Sequence, residues 1–327
     1  MKKNVVTLKH GAGGSSMHSL IEEFRTHLTL RGKWKGLRSD SAFVKLGDSY
    51  LCFTTDSHIV TPIFFPGGNI GTLAVNGTIN DIAVMGAEPL GLSLSFVIEE
   101  GFPKDELDII ISSIAQLSEK HQVPVVTGDT KVMRKGEIDK IVINTSSVGI
   151  AESIINHPLE KGDLIIASGE LGNHEAALLA KRFNYEINLS SDCAAILDQM
   201  REVRHLLKFA KDPTRGGLNS SLHEISEHYR ATILLYQDKI PFREEVKTLS
   251  EILGLEPINF ASEGRFICGT SPDSAQEVVT ILKKYNPRAE IIGEVSSIGK
   301  AELLLKTEFG ALKRIREFDG DTNPRIC

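Results

Sequence analysis

The sequence predicts an α+β protein of two domains, each a mixed sheet with helices packed on one side. Three observations carry that expectation. Strand-like runs and helix-periodic stretches mix within each half of the chain. The composition shifts at 151–162, where AESIINHPLEKGD reads as a linker. A length of 327 residues suits two domains of ordinary size, each able to bury its own core. The boundaries expected are 1–155, 156–318 and a mobile C-terminal tail, 319–327, because Pro324 blocks a regular continuation and chain ends are mobile unless docked.

The elements follow in order. Residues 16–30 place Met17, Leu20, Ile21, Phe24 and Leu28 on one helical face. Strands are expected at 42–46 and 50–54, with Asp48 in the turn between them. A long helix is expected at 67–87, entered through Gly67-Gly68, then a strand at 90–98. An amphipathic helix at 105–121 presents Leu107, Ile110, Ile111, Ile114 and Leu117 on one face. VPVVTGD and DKIVINTSSVGI close the first half as strands. The second half opens with a strand at 163–168 and a helix at 173–184. Helical stretches are then expected at about 191–209, 218–229 and 273–285, with strands at ATILLY, RFICGT and AEIIGEV.

Composition excludes several functions. Hydrophobic residues make up 41% and charged residues 24%, the balance of a soluble globular protein. The net charge of −6, with no basic stripe, argues against nucleic-acid binding. No apolar run approaches a membrane span, and the MKKNVVTLKHGAGG terminus lacks the apolar region of a signal peptide. Four cysteines without zinc-ligand spacing point to a reducing, cytoplasmic compartment. Cys52 and Cys268 read as small buried hydrophobes, and Cys193 stands at an expected helix start.

Chemistry is expected from a few residues. The 67–87 helix carries one formal charge, Asp81, in 21 residues; Asn69, Asn76 and Asn80 form an amide stripe on it. Such a stripe serves either an internal hydrogen-bond network or a ligand-facing edge. Asp40, Asp56 and Asp129 recur at expected strand ends, and acids converging from strand ends with Asp81 suit a metal–nucleotide site. Lys131, expected in a loop leaving a strand, can reach a phosphate. HGAGGS and DPTRGGL each precede a helix, the second adding Arg215 as a bidentate anion donor. Neither is a Walker A pattern, and GELGNHE lacks the dinucleotide fingerprint. Glu263, in NFASEGRF, is a proton acceptor if desolvation raises its pKa. Cys327 ends the sequence; a thiol on a tether can be loaded in one place and processed in another, or be a chance cysteine in a frayed end.

Taken together, HGAGG, TDSHIVTPIFFPGGNIGTLAVNGTINDIAVMGAEP, VVTGDTKV, DPTRGGL, NFASEG and the terminal PRIC resemble the HypE family of hydrogenase-maturation carbamoyl dehydratases. That family is similar to aminoimidazole ribonucleotide synthetase and selenophosphate synthetase. The resemblance implies that fold, with an ATP-binding and dimerisation domain at 1–155 and a synthetase-like domain at 156–318. It implies that a HypF carbamoyltransferase loads a carbamoyl group onto Cys327, and that ATP-dependent dehydration turns it into a thiocyanate. The cyano group then passes to iron on a HypC–HypD scaffold for the [NiFe]-hydrogenase centre. Asp40, Asp56, Asp81 and Asp129 would hold magnesium and ATP, with Asn76 and Asn80 at the nucleotide. Lys131 would orient phosphate and carbamoyl, and Glu263 would be the dehydration base. A homodimer built on the N-terminal domains is implied too. Ser41 stands where relatives often carry a second acid, GNHE replaces the more usual GDHG, and Arg265 replaces a lysine. The alternatives are another ATP-dependent synthetase of this superfamily and a non-catalytic thiol carrier.

Overall fold

A computed structural model describes residues 5–30, 32–36, 39–319 and 326. Cys327 and the rest of the tail beyond Asp319, Ile326 excepted, lie outside the described residues.

The chain runs α1 (Ser15–His27), β1 (Ala42–Leu46), β2 (Ser49–His58), β3 (Phe64–Phe65), β4 (Gly68–Asn69), α2 (Ile70–Ala83), β5 (Glu88–Glu99), α3 (Lys104–His121), β6 (Val125–Met133) and β7 (Ile141–Ala151). It continues with β8 (Leu164–Ala167), α4 (Asn173–Arg182), α5 (Leu197–Val203), β9 (Leu207–Lys211), α6 (Gly217–Tyr229), β10 (Ala231–Tyr236), α7 (Glu244–Leu253) and β11 (Ile267–Thr270). It ends with α8 (Pro272–Leu282), β12 (Glu290–Ile298), β13 (Glu302–Lys306) and β14 (Leu312–Arg314).

The first sheet has the order β1-β2-β7-β5-β6, with β5 and β6 parallel and the other pairs antiparallel. Helix α2 lies against β2 and β7, and α3 packs on α2. Ile70, Leu73, Ile79 and Ile82 of α2 are fully buried. Burying each such side chain contributes roughly 1.5–3 kcal/mol, so packing holds this nearly uncharged helix. The opposite face and the β6 edge are open: Phe53, Val126, Val132 and Ile150 are all exposed there.

The second sheet has the order β14-β13-β10-β12-β8-β11-β9. Helices cover both of its faces, not one as expected. Along β8, Ile166 joins the apolar cluster that holds residues of α5 and α8, while Ile165 and Ala167 face the cluster of Leu218 and Leu222 from α6. The first of these clusters also takes Leu73 and Ile79 of α2, so it joins the two halves of the chain.

Several element boundaries differ from the sequence expectation. The 67–87 helix begins only at Ile70, because Asn69 is extended and caps it, its side chain accepting from Gly71 and Thr72 N–H. The 191–209 stretch is helical only through α5 and then a short 3-10 turn before β9. The segment ahead of α5 is held irregular by side-chain bonds from Asn80 and Ser191. Strand β6 runs on to Met133, so Asp129 and Lys131 sit within it rather than after it. Helix α1 buries no residue: Phe24 and Leu28 of its apolar stripe stay exposed, and Met17 and Ile21 face a cavity instead.

Candidate active site

A cavity of about 460 Å³ opens between α1, β2, α2 and the loop joining β9 to α6. The two-residue period of β2 turns Cys52, Thr54 and His58 inward, with Asp56 beside them. Asp81 meets them from α2: Thr54 Oγ1 donates to Asp81 Oδ2 at 2.7 Å, and Ser41 Oγ donates to the Asp81 carbonyl at 2.8 Å. Gly77, one turn earlier, leaves room for His58 and Glu263; a Cβ there would stand 3.3 Å from the His58 ring and 3.9 Å from Glu263 Oε2. Asp40, Asp56, Asp81 and Glu263 therefore line one cavity, with Asp212 and Arg215 of DPTRGGL.

Crowded acids set the electrostatics. Burial pushes Asp81 well above the usual carboxylate range, and Asp212, Asp56 and Asp40 push it further. Burial and Asp40 raise Asp212 to about 8 against the pull of Lys211. Burial also opposes ionisation of Asp56, but His58 and Arg215 outweigh it and hold its pKa low. Lys211 pairs with Asp40 and lies 3.0 Å from Glu224. Burial works against its charge, yet Asp40 and Glu224 keep it firmly protonated. Glu224 in turn meets His18 of α1 at 3.0 Å, and His18 Nδ1 lies 2.7 Å from Glu317. Lys211, Asp212, Glu224 and His18 carried no site expectation. Asp212 does follow a strand, β9, but that strand begins inside a stretch the sequence reads as helical, so the strand-end signal is hidden there; His18 and Glu224 are brought in only by tertiary packing.

Glu263 forms the inner wall. Its backbone N–H donates to Asp192 Oδ1 at 2.9 Å, and its carbonyl accepts from Asn80 Nδ2 at 3.2 Å. A Cβ at Gly264 would lie 1.9 Å from the Asp192 carbonyl, so glycine permits this close approach. Burial raises the Glu263 carboxyl well above its ordinary range, helped by Asp212, Asp56 and Asp192. Asn80 is committed to the fold: it also donates to Ala194 O at 3.0 Å and accepts from Ile196 N–H at 2.9 Å. Asn76 donates to Cys193 Sγ at 3.6 Å, and its Oδ1 has no hydrogen-bond partner among the described residues. Glu263 Oε1 and Asp192 Oδ2 are in the same position. Cys52 and Cys268 are buried as expected, whereas Cys193 precedes α5 in irregular chain.

Asp129 and Lys131 do not line this cavity. They pair with each other at 2.7 Å on the exposed edge strand β6. The HGAGGS loop packs on Arg215 and Phe318, and Ser15 N–H donates to Phe318 O at 3.1 Å. Among the described residues, no three acids, histidines or cysteines close on one point as a ready metal cage. The donor chemistry still suits magnesium, which needs only one or two carboxylates and completes its shell with phosphate oxygens and water. Also among the described residues, no helix is long and apolar enough to cross a membrane.

A two-domain α+β protein with an acid-lined cavity at its centre is the class these features define. Residues 38–151 match the family model of the AIR synthase related protein N-terminal domain, and 160–306 match that of the C-terminal domain. The chain is 38% identical to the carbamoyl dehydratase HypE of Rhizobium leguminosarum bv. viciae, over 98% of this chain and 95% of that one. It is similar to a crystal structure of a hydrogenase maturation protein HypE in complex with ATP: TM-score 0.82, 33% identity, 99% of this chain and 100% of the other. A HypE–HypF complex structure matches at TM-score 0.83 and 35% identity, covering 91% of this chain and 99% of that one. The chain belongs to the HypE family of AIR synthase related proteins.

Proposed function

We propose that this protein is an ATP-dependent carbamoyl dehydratase of [NiFe]-hydrogenase maturation, acting on an S-carbamoyl group carried by Cys327. The observation that carries this reading is Glu263: a desolvated carboxyl facing the same cavity as four aspartates, in a chain similar along its whole length to carbamoyl dehydratases. The reaction converts the thiocarbamate and ATP into a thiocyanate, ADP and phosphate. An amide oxygen leaves poorly, and phosphorylation makes it a good leaving group.

The residues divide the work. Arg215, beside Asp56 and Glu263, supplies a fixed cation for the transferring phosphoryl group. Asp56 and Asp81 would hold magnesium, with Asp40 and Asp212 behind them. When bound, that ion neutralises phosphate charge. Glu263 takes the nitrogen protons, its raised pKa making its carboxylate a stronger base than an exposed glutamate. Asn76, whose Oδ1 has no hydrogen-bond partner among the described residues, donates to Cys193 in the segment that bonds to Glu263.

Asp129 and Lys131 enter through a second copy of the chain. The open β6 edge and the exposed Val126 and Val132 beside them support pairing between N-terminal domains, which would bring this cation and acid to a shared site. Residues 1–155 would then form the ATP-binding and dimerisation domain, 156–318 the synthetase-like domain, and 319–327 the moving tail. HypF is the proposed carbamoyl donor and the HypC–HypD scaffold the acceptor. The free thiols of Cys52, Cys193 and Cys268 fit a cytoplasmic setting.

The test is mass spectrometry of the C-terminal peptide after loading by the transferase and addition of ATP. The carbamoylated peptide is expected to lose one water as phosphate is released. Phosphate release with no mass loss, or neither event on a fully loaded chain, would refute the reading.

A further inference from the structure

The end of the chain is gripped at Ile326. That residue is only 6% exposed and joins the apolar cluster between the two halves of the protein. Its carbonyl oxygen lies 2.9 Å from His174 Nε2. A carbonyl can only accept, so Nε2 carries the proton. Nδ1 must then accept, and Ser191 Oγ stands 2.7 Å away to donate to it. Ser191 is fixed in turn: its Oγ accepts from Cys193 N–H at 3.0 Å, and its N–H donates to Pro66 O at 2.8 Å. The Phe65 ring meets the imidazole edge-on at 5.4 Å. Burial lowers the His174 pKa, which keeps the ring neutral and preserves this one tautomer.

The ring is therefore held on three sides and offers one N–H, which goes to the tail. The segment that orients it, Ser191–Ala194, is the same segment that packs against Asn76, Asn80 and Glu263. A residue following Ile326 begins one peptide unit, ~3.8 Å between Cα atoms, from that grip.

We infer that His174 is a positioning residue for the chain end, its Nε2–H holding the Ile326 carbonyl so that Cys327 is delivered to the inner end of the site near Asn76 and Glu263. The catalytic consequence rests on the dehydratase reading above; the grip itself does not.

The test uses the full-length protein in two arms. In the first, Cys327 is alkylated with iodoacetamide without ATP or carbamoyl donor, and its rate is followed in the peptide that begins at Asp321. His174→Ala should speed alkylation on the order of 5- to 10-fold, the worth of one hydrogen bond. His174→Gln, which keeps an N–H donor at that reach, should stay near the parent rate. Ser191→Ala, which frees the tautomer, should speed it less than His174→Ala; this variant decides the matter should His174→Ala fail to fold. In the second arm, single-turnover dehydration of the carbamoylated chain should slow by a similar factor in His174→Ala and recover in His174→Gln, with ATP affinity unchanged. Unchanged alkylation in the folded alanine variants, or equal acceleration by alanine and glutamine at position 174, would overturn the inference. Should the parent protein fail to dehydrate at all, the dehydratase reading falls and the alkylation arm still decides the grip.

Discussion

Thr54 on strand β2 donates a 2.7 Å hydrogen bond to the Asp81 carboxylate on helix α2, and that bond spans the join between sheet and helix at the cavity floor. It is a favourable contact, yet burial and three neighbouring aspartates still leave Asp81 with a raised pKa. The site thus keeps an acid where the fold would prefer a neutral group.

Asp81→Asn should consequently stabilise the protein and disable it. Removing an acid whose folded pKa is raised is expected to add on the order of 1 kcal/mol near neutral pH. The sign follows from linkage: such a group opposes folding when ionised, and the penalty fades as pH falls through its raised folded pKa. ATP-dependent turnover should drop ~100-fold or more with the loss of a metal-binding carboxylate. Thermal unfolding and a phosphate-release assay read the two effects. A variant that is both less stable and fully active contradicts the assignment.

Lys211 is predicted to be a structural linchpin. Its ammonium lies between Asp40 and Glu224, with both Lys211 and Asp40 about nine-tenths buried. Lys211→Met strands Asp40 in low dielectric and leaves Glu224 with His18 alone, at a cost of ~3–5 kcal/mol. Adding Asp40→Asn should restore part of that loss, because the stranded charge is then removed as well. Urea denaturation of both variants checks this, and strictly additive losses would show that the pair is not coupled.

His18 and Glu224 tie α1 over the cavity in a pH-dependent way. The hydrogen bond that His18 donates to Glu224, aided by Glu317, outweighs burial and raises His18 to about 9. That contribution is complete below the unfolded value, ~6.5, and is lost as pH rises through about 9. Burial works against Glu224, but Lys211 and His18 bring it down to about 2. Its contribution is complete above its ordinary range, ~4.3, and is lost as pH falls toward about 2. The window of full stabilisation therefore runs from ~4.3 to ~6.5. The His18 share has an upper bound of ~3 kcal/mol, reduced by partial exposure. His18→Gln should flatten the stability curve between pH 6.5 and 9; an unchanged slope there would exclude the tie.

Much of this was legible in the sequence, and the parts that were not share a cause. The two α+β halves followed from local periodicity, and Asp40, Asp56, Asp81 and Glu263 do meet in one cavity. The residue pattern leaves Asn80 open between network and ligand and the family resemblance implies the nucleotide; its side chain bonds instead to Ala194, Glu263 and Ile196, partners more than a hundred residues away that local pattern does not reveal. The 191–196 stretch reads as helix by composition, but Asn80 and Ser191 offer its backbone better bonds than a helix would. The sequence puts Lys131 in a loop because β-strand ends carry no strong signal, whereas β6 continues along the parallel neighbour β5 to Met133. His18 and Glu224 lie 206 positions apart and have no motif of their own.

Glu263 supplies the most direct check on the chemistry. A general base works only when ionised, so the rate should fall as pH drops through its folded pKa. Burial and the nearby Asp212, Asp56 and Asp192 put that pKa well above the ordinary glutamate range. The acid limb of single-turnover dehydration should therefore lie well above ~4.3. Glu263→Gln keeps the shape and the backbone bonds to Asp192 and Asn80, so folding and ATP affinity should hold. Dehydration should fall ~100- to 10,000-fold, the usual worth of a positioned base. A glutamine variant that turns over at the parent rate, or an acid limb at or below ~4.3, would assign proton removal to another group.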